Sequence, residues 1–240
     1  VNPMFLLPQA IANRGGDIAS GWVGSLTMGA GQFCTNPGIA IVIDGTDAAN
    51  FINDVTTLLS KVESQMMLTD GISKAYRAGC ERMSSFNAVG KLKNASEISR
   101  TALPQLFVTT GKTWLTNFEL SEEVFGPSGL VVKVVDFSEM MEIATKLTGQ
   151  LTCTLHMDDS DQNEAKKLLP ILERKAGRIL ANGFPTGVEV CESMVHGGPF
   201  PASTNFGATS VGTMSIRRFL RPVCYQNMPT SMLPTDMMSH

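Results

Sequence analysis

The sequence lacks the paired cysteines of a disulfide framework or a zinc site. It has five cysteines, an odd number, and no two of them form a Cys-x-x-Cys pair. We therefore predict free thiols and no metal site, and this cysteine usage indicates a reducing, cytoplasmic setting. The five are Cys34, Cys80, Cys153, Cys191 and Cys224.

Charge is scarce as well. Charged residues make up 17% of the 240 residues, and the formal net charge is -3. Such a chain offers no basic stripe for nucleic acid and no polybasic patch for a lipid surface, so we expect a small-molecule partner instead. No hydrophobic run indicates a membrane span, and the 43% of apolar residues are enough for one sizeable core or two small ones.

The chain has no initiator methionine, no secretory leader and no glycine-rich phosphate loop. It opens at Val1-Asn2-Pro3 without a basic or an apolar leader segment. The expectation is that it starts inside a larger protein. Neither Gly-x-Gly-x-x-Gly nor a P-loop is present, so we expect no nucleotide site that belongs wholly to this chain.

Short apolar runs alternate with segments of helical periodicity. A run at 151–155 alternates apolar and polar residues, which predicts a strand with two different faces, and Ser138 is predicted to cap the helix before it. Strands alternating with helices predict an α/β fold, a mostly parallel twisted sheet with helices on both faces. The other predicted strands lie at 39–43, 106–108, 130–135 and 177–181.

Residues 183–240 differ from the rest of the chain because glycine, proline and short polar residues replace the periodic apolar pattern. Residues 183–212 show little periodicity, and long irregular segments are usually functional or mobile. The tail at 217–240 has one predicted strand, at 222–225, and no hydrophobic face of its own, so we expect it to dock on a partner subunit. We therefore divide the chain into a thiol-bearing domain at 1–216 and a tail that serves oligomerisation.

The most informative residue is Cys34, at the end of the run Gly-Ala-Gly-Gln-Phe-Cys at 29–34. A turn of small residues lets main-chain N–H groups approach the oxyanion that forms when a thiolate attacks a carbonyl carbon. Cys34 is therefore a candidate nucleophile. The alternative is a buried cysteine that packs as a small hydrophobic residue.

Four other residues are candidates for the same site. Glu123 and Phe125 precede a predicted strand, and the carboxylate suits sugar hydroxyls; the alternative is a solvated loop with Phe125 in the core. Asn182 ends the last predicted strand, at the edge where open α/β sheets collect ligands, although a turn-forming asparagine explains it too. His196 paired with Cys34 would indicate a Cys/His hydrolase; a loop histidine bonded to backbone is the alternative.

Two of these segments resemble motifs of the aldehyde dehydrogenase superfamily. The run Gly-Gln-Phe-Cys-Thr at 31–35 resembles its cysteine signature, and Glu-Val-Phe-Gly-Pro at 123–127 resembles its cofactor-facing motif, at about the right downstream distance. The resemblance is closest to the branch of NADP-dependent fatty-aldehyde and 2-oxoglutarate-semialdehyde (2,5-dioxopentanoate) dehydrogenases. Further similar segments, which extend the resemblance over nearly the whole chain, lie at 1–3, 151–155, 177–182, 197–202 and 218–226.

The resemblance implies a C-terminal catalytic domain that oxidises an aldehyde to a carboxylic acid with NADP or NAD as cofactor. Cys34 would form the thiohemiacetal and thioester, Glu123 would hold the nicotinamide-ribose hydroxyls, and Phe125 would lie against the ring. Asn182 and His196 would shape the site. The resemblance also implies an upstream Rossmann-like domain that holds the general-base glutamate and the oxyanion amide, and a homo-oligomer, a dimer or a tetramer.

Two other functions remain open from the sequence. One is a Cys34/His196 thiol hydrolase of acyl substrates, which cofactor dependence would separate from a dehydrogenase. The other is a non-catalytic oligomerisation module with an inert Cys34, which rapid labelling of the thiol by iodoacetamide would contradict.

Overall fold

The computed structural model describes residues 1–86 and 100–237. A sheet of six parallel strands lies at its centre, in the order β5-β6-β2-β1-β7-β8, and β3 and β4 form a separate antiparallel pair. The strands are β1 (Pro3–Leu6), β2 (Ile39–Ile43), β3 (Gln65–Met66), β4 (Thr101–Ala102), β5 (Gln105–Thr110), β6 (Ser128–Val134), β7 (Gln150–His156) and β8 (Ala176–Ala181). The helices are α1 (Pro8–Thr27), α2 (Thr46–Leu59), α3 (Asp70–Ser84), α4 (Gly111–Thr116), α5 (Phe137–Lys146) and α6 (Gln162–Leu172).

Helices cover both faces of the sheet because its apolar runs are apolar on both sides. On one face Phe5 and Ile41 belong to a core that includes residues of α5 and α6. On the other face Leu6 joins a core with α1 and α2, where Trp22 and Phe51 stack with ring centroids 5.7 Å apart. The predicted α/β fold with a parallel sheet and helices on both faces is confirmed.

The sequence analysis missed β1 and α1. β1 has only four residues, too few for a clear pattern, although it lies in the interior of the sheet between β2 and β7. α1 has four glycines, which weaken a helical signal, and a kink at Arg14. One of the four has a packing role: a Cβ on Gly21 would overlap the ring of Phe184, so the absent side chain lets the loop after β8 lie against α1.

Two local predictions were wrong, the cap of α5 and the strand at 222–225. Helix α5 is capped by Asp136, whose side chain accepts a hydrogen bond from the backbone N–H of Glu139 at 2.9 Å, and not by Ser138, which lies inside the helix. β7 has the two different faces that were predicted, with Cys153 and Leu155 on one side and Thr152, Thr154 and His156 on the other, and both faces are buried. Residues 222–225 form no strand, and Pro222 has no N–H to donate to one.

Because the six strands run parallel, their amino ends lie at one edge of the sheet. The residues before β1, β2, β6 and β7 therefore converge there, and these segments include the two motif-bearing loops. Within 1–86 and 100–237, no helix is both long enough and apolar enough to cross a membrane.

Candidate active site

The loop that carries Cys34 begins with three successive residues in left-handed backbone conformation. Gly29, Ala30 and Gly31 have φ angles of 56°, 57° and 66°. Glycine is required at 31 for space as well, because a Cβ there would overlap the backbone of Gly126 in the second motif. Asn36 ties the two loops together, since its Nδ2 donates to the carbonyls of Gly31 and Gly126, each at 2.9 Å.

Asn2 fixes the Cys34 loop to the sheet. Its side chain is only 2% exposed, and its Nδ2 donates to the carbonyls of Cys34 at 2.9 Å and Asn36 at 3.0 Å. Its Oδ1 accepts from the backbone N–H of Thr152 in β7 at 3.2 Å. Both halves of the amide are therefore used, and the carbonyl of the thiol residue is held at the amino ends of β1 and β7.

Cys34 is exposed, and its Sγ lies 3.2 Å from Nε2 of His196. The histidine loop is held in place by its backbone: the N–H of His196 donates to Oγ1 of Thr209 at 2.8 Å, and its carbonyl accepts from the hydroxyl of Ser210 at 2.9 Å. Burial lowers the pKa of His196, and the positive charge of Arg178 lowers it further. At neutral pH the imidazole is therefore neutral, the form that accepts a proton from a thiol.

Cys34, Glu123 and Phe125 line one cleft of about 460 Å³ at the amino edge of the sheet. Glu123 is exposed and Phe125 half-buried, so a carboxylate and an aromatic ring are both available to a molecule in the cleft. A carboxylate suits ribose hydroxyls and a ring suits a flat heterocycle, so these two side chains fit a nicotinamide nucleoside next to the thiol. Within the described ranges, no group of three or more His, Cys, Asp or Glu residues could hold a metal ion.

Asn182 lies at the opposite edge of the sheet. It follows the carboxyl end of β8, a strand of six residues, and so lies about 20 Å along the strand direction from the amino edge. Its Oδ1 accepts from the backbone N–H of Met157 at 2.9 Å and from Arg14 at 3.1 Å, and its Nδ2 donates to the carbonyl of Met157 at 2.8 Å. The structure therefore brings Cys34, Glu123, Phe125 and His196 to one edge, and it does not bring Asn182 to them. The site is at the amino edge because the loops carrying Cys34, Glu123 and Phe125 precede their strands, while the loop after β8 returns to this edge and brings His196 to it.

Two residues at this edge were missed by the sequence analysis as members of a site. Asn2 was noted only as part of a similar segment, and Arg178 only as part of a strand and of another similar segment. Their partners are distant in sequence: Thr152 lies 150 residues from Asn2, and the residues bound by Arg178 lie in an aperiodic loop. No local pattern signals such contacts.

Comparison with known proteins finds close relatives. The chain is 48% identical over 237 residues to α-ketoglutaric semialdehyde dehydrogenase 2 of Azospirillum brasilense, and 44% identical over 238 residues to α-ketoglutaric semialdehyde dehydrogenase of Acinetobacter baylyi. Each match covers 98% of this chain and 45% of the relative, so the chain spans less than half the length of these proteins. No model of a protein family matches the chain.

The fold has solved counterparts. It resembles a putative methylmalonate-semialdehyde dehydrogenase from Sinorhizobium meliloti complexed with NAD, with a TM-score of 0.76 at 17% identity, over 92% of this chain and 45% of that one. A lactaldehyde dehydrogenase gives a TM-score of 0.75 with the same identity and coverage. The chain belongs to the aldehyde dehydrogenase superfamily. Within it, the sequence groups with the α-ketoglutaric semialdehyde dehydrogenases, the branch indicated by its motifs.

Proposed function

We propose that this chain is the thiol-bearing catalytic domain of an NAD(P)-dependent aldehyde dehydrogenase whose substrate is a semialdehyde of the 2-oxoglutarate type. One observation carries the proposal: Cys34 lies within 3.2 Å of a neutral proton acceptor, in a cleft shared with Glu123 and Phe125. The relatives that match at 48% and 44% identity carry the name of that substrate.

Cys34 is the nucleophile in the proposed reaction. Its thiol proton passes to Nε2 of His196, and the sulfur adds to the aldehyde carbon to form a thiohemiacetal. The backbone N–H of Cys34 donates to the oxyanion. When bound, NAD(P)+ accepts the hydride that leaves this carbon. Water then attacks the Cys34 thioester and releases the carboxylic acid together with the free thiol.

Glu123 and Phe125 are the residues of this chain proposed to position the cofactor. The carboxylate of Glu123 would accept hydrogen bonds from the ribose hydroxyls, and the ring of Phe125 would pack against the nicotinamide. The relatives are about twice as long as this chain, so we assign the remaining cofactor contacts, the general-base glutamate and a second oxyanion donor to polypeptide outside these 240 residues. The choice between NADP and NAD is made there as well.

The tail and the thiols support two further assignments. Large apolar side chains of the tail are exposed, with Phe219 at 87% and Leu220 at 64%, and we infer that a second copy of the enzyme covers them in a homo-oligomer. All five cysteines are free, which supports a reducing, cytoplasmic location.

The assay that tests the function follows reduction of NADP+ and of NAD+ by the complete enzyme with 2-oxoglutarate semialdehyde. We expect Glu123→Gln to raise the cofactor KM and lower kcat, while Glu119→Gln, an exposed acid on the short helix before the motif, changes neither. Absence of nicotinamide reduction with this and other aldehydes would contradict the proposal.

A second candidate function is favoured by the same contact. The Cys34 to His196 distance of 3.2 Å is that of a nucleophile and base in a thiol hydrolase. Such an enzyme would cleave acyl thioesters or esters without a nicotinamide. Acyl hydrolysis as the major activity, with no aldehyde oxidation, would favour this function.

A further inference from the structure

Arg178 is a half-buried cation at the amino half of β8. Its Nη2 donates to the carbonyl of Pro185, and its Nη1 donates to the carbonyl of Gly187 at 3.2 Å and contacts Sδ of Met194 at 3.9 Å. Pro185 and Gly187 belong to the outgoing limb of the loop after β8, and Met194 belongs to the returning limb. One side chain therefore ties both limbs together.

The returning limb leads directly to His196. His196 lies two residues after Met194, and Gly197 follows it. The carbonyl of Gly197 lies so close to Gly177 that a Cβ at 177 would overlap it. The loop thus contacts β8 twice, through the side chain of Arg178 and through the neighbouring backbone at 177. These contacts determine where the imidazole stands relative to Sγ of Cys34.

The acceptors of Arg178 leave its charge uncompensated. They are two carbonyl oxygens and a thioether, and within the described ranges no carboxylate forms an ion pair with the guanidinium. A partly buried charge is expensive unless an opposite charge offsets it. Arg178 interacts electrostatically with Cys34 and with His196, and a thiolate at Cys34 would supply the missing negative charge.

We propose that Arg178 is the positioning residue of the Cys34 and His196 pair. It holds the histidine loop against β8, and its permanent charge keeps the imidazole neutral before the reaction and stabilises the Cys34 thiolate that forms when the thiol proton is transferred. The neutral imidazole then remains able to accept a proton. This proposal rests on the proposed function, because it assigns the pair to nucleophilic catalysis.

Two charged or titratable groups act on His196 in the part of the chain that the structure describes. Arg178 acts from β8, and Cys34 acts from the loop before β2. Thr209 and Ser210, which bind the backbone of His196, are neutral. Removal of the positive charge at 178 therefore raises the pKa of His196, whereas a lysine retains the lowering charge.

The test uses two chemical labels on the complete enzyme. Diethyl pyrocarbonate modifies neutral imidazole, so the pH dependence of His196 modification, read by peptide mass spectrometry, reports its protonation. Iodoacetamide labels the thiolate of Cys34. Neither reaction needs aldehyde or cofactor, so failure of this proposal is distinguishable from failure to oxidise aldehydes.

We expect Arg178→Gln to move the His196 modification midpoint to higher pH and to slow labelling of Cys34 at pH 7 by about tenfold. Arg178→Lys should keep the midpoint near that of the unaltered enzyme and lose less than about threefold in labelling rate. Arg174→Gln, four residues earlier and exposed, is the control that removes a positive charge from elsewhere and should change neither label.

Arg178→Met, which keeps the aliphatic stem, provides a second neutral variant if the glutamine variant does not fold. Equal effects of the lysine and the neutral variants would overturn the proposal, because only the shape of the side chain would then matter. Unchanged labelling in every variant would overturn it as well.

Discussion

Cys34 and Cys153 are both free, but only Cys34 is placed to react. Cys153 is fully buried in β7, and burial raises its pKa to about 12, so it stays a protonated thiol at any physiological pH. Cys34 is exposed at the cleft with a proton acceptor beside it. The environment, and not the residue type, separates a nucleophile from a core residue.

The first prediction compares these two thiols. Cys34→Ala should reduce aldehyde oxidation by the complete enzyme to background while leaving its thermal midpoint nearly unchanged. Cys153→Ala should retain kcat/KM and lose about 1 kcal/mol of stability, because it deletes a buried group without touching the cleft. Paired assays of activity and thermal unfolding measure both effects, and near-normal oxidation by the Cys34 variant would contradict the assigned nucleophile.

The second prediction concerns His156, which is 1% exposed and has no hydrogen-bond partner for either ring nitrogen among the described residues. Burial lowers the pKa of His156 to about 4, and the charge of Arg14 adds to this effect. The unfolded chain, with a pKa of about 6.5, binds more protons between pH 6.5 and 4, so stability falls as pH falls through that window. Above pH 6.5 this contribution is constant.

His156→Leu removes that titration. From pH 7 to pH 5 we expect the variant to lose about 2 kcal/mol less unfolding free energy than the unaltered protein. Urea denaturation at the two pH values measures the difference. An identical pH dependence in both proteins would show that His156 is already charged or solvated in the fold.

At the residue scale, the sequence predicted the parts of the site that lie in continuous motifs. Cys34, Glu123 and Phe125 each stand in such a motif, and all three line the cleft. Cys34 and His196 are 162 residues apart, so the sequence offered their contact only as one alternative and could not predict it. Asn182 was expected at the site from the family resemblance and from a rule about carboxyl ends of strands, and that rule does not apply to the loops of Cys34 and Glu123, which precede their strands.

At the scale of elements, α1 shows how packing overrides local preference. Its glycines weaken it as a helix, yet the one at 21 makes room for Phe184, which anchors the loop that continues to His196. Helix α1, which the sequence analysis missed, is therefore the element against which the histidine loop packs through Phe184.

The third prediction uses two of these glycines. Gly21→Ala should destabilise the protein by about 1 to 3 kcal/mol, since its Cβ would displace the ring of Phe184. Gly24→Ala, one turn later at an exposed position with nothing within 4 Å, should stabilise it by up to about 1 kcal/mol through helix propensity. Thermal unfolding gives both values, and a shift of the same sign in both variants would contradict the packing role of Gly21.

Most of the sheet was predictable because its strands coincide with apolar runs, which are buried on both faces in β2 and β6. β2, β6 and β8 lie within two residues of their predicted ends. β1 was missed because four residues carry too little pattern, and the start of α5 was misplaced because two capping residues, Asp136 and Ser138, stand two positions apart. The geometry of the cap, which only coordinates show, selects the aspartate.

At the scale of the whole molecule, the cleft is open along one side. Cys34 and Glu123 line it from this chain, while the curated relatives are about twice as long. The fourth prediction is that the 240 residues alone do not oxidise aldehydes with NAD(P)+. Each missing oxyanion donor costs about 3 to 4 kcal/mol of barrier, and cofactor contacts are lost as well. Turnover by the isolated chain in a nicotinamide assay would contradict this division of the site.

The fifth prediction concerns assembly. The exposed apolar side chains of the tail predict that Phe219→Ser, Leu220→Ser in the complete enzyme shifts it toward smaller species. Sedimentation velocity measures the change. Lys166→Ser on the exposed face of α6 is the control and should leave the distribution of oligomeric species unaltered. An unaltered distribution in the double variant would contradict the role of the tail in assembly.

The contact between Gly177 and Gly197 has a consequence for how this enzyme could be altered. Because the carbonyl of Gly197 lies against Gly177, any side chain at 177 would push the histidine loop away from the sheet, so the distance from sheet to histidine is not adjustable by substitution at Gly177. Under the proposed function, selection for longer or bulkier aldehydes then acts on the rim of the cleft, at positions such as Phe118, Leu151 and Ala202. Libraries that randomise the rim should yield new specificities, whereas libraries at Gly177 should yield unstable or inactive proteins.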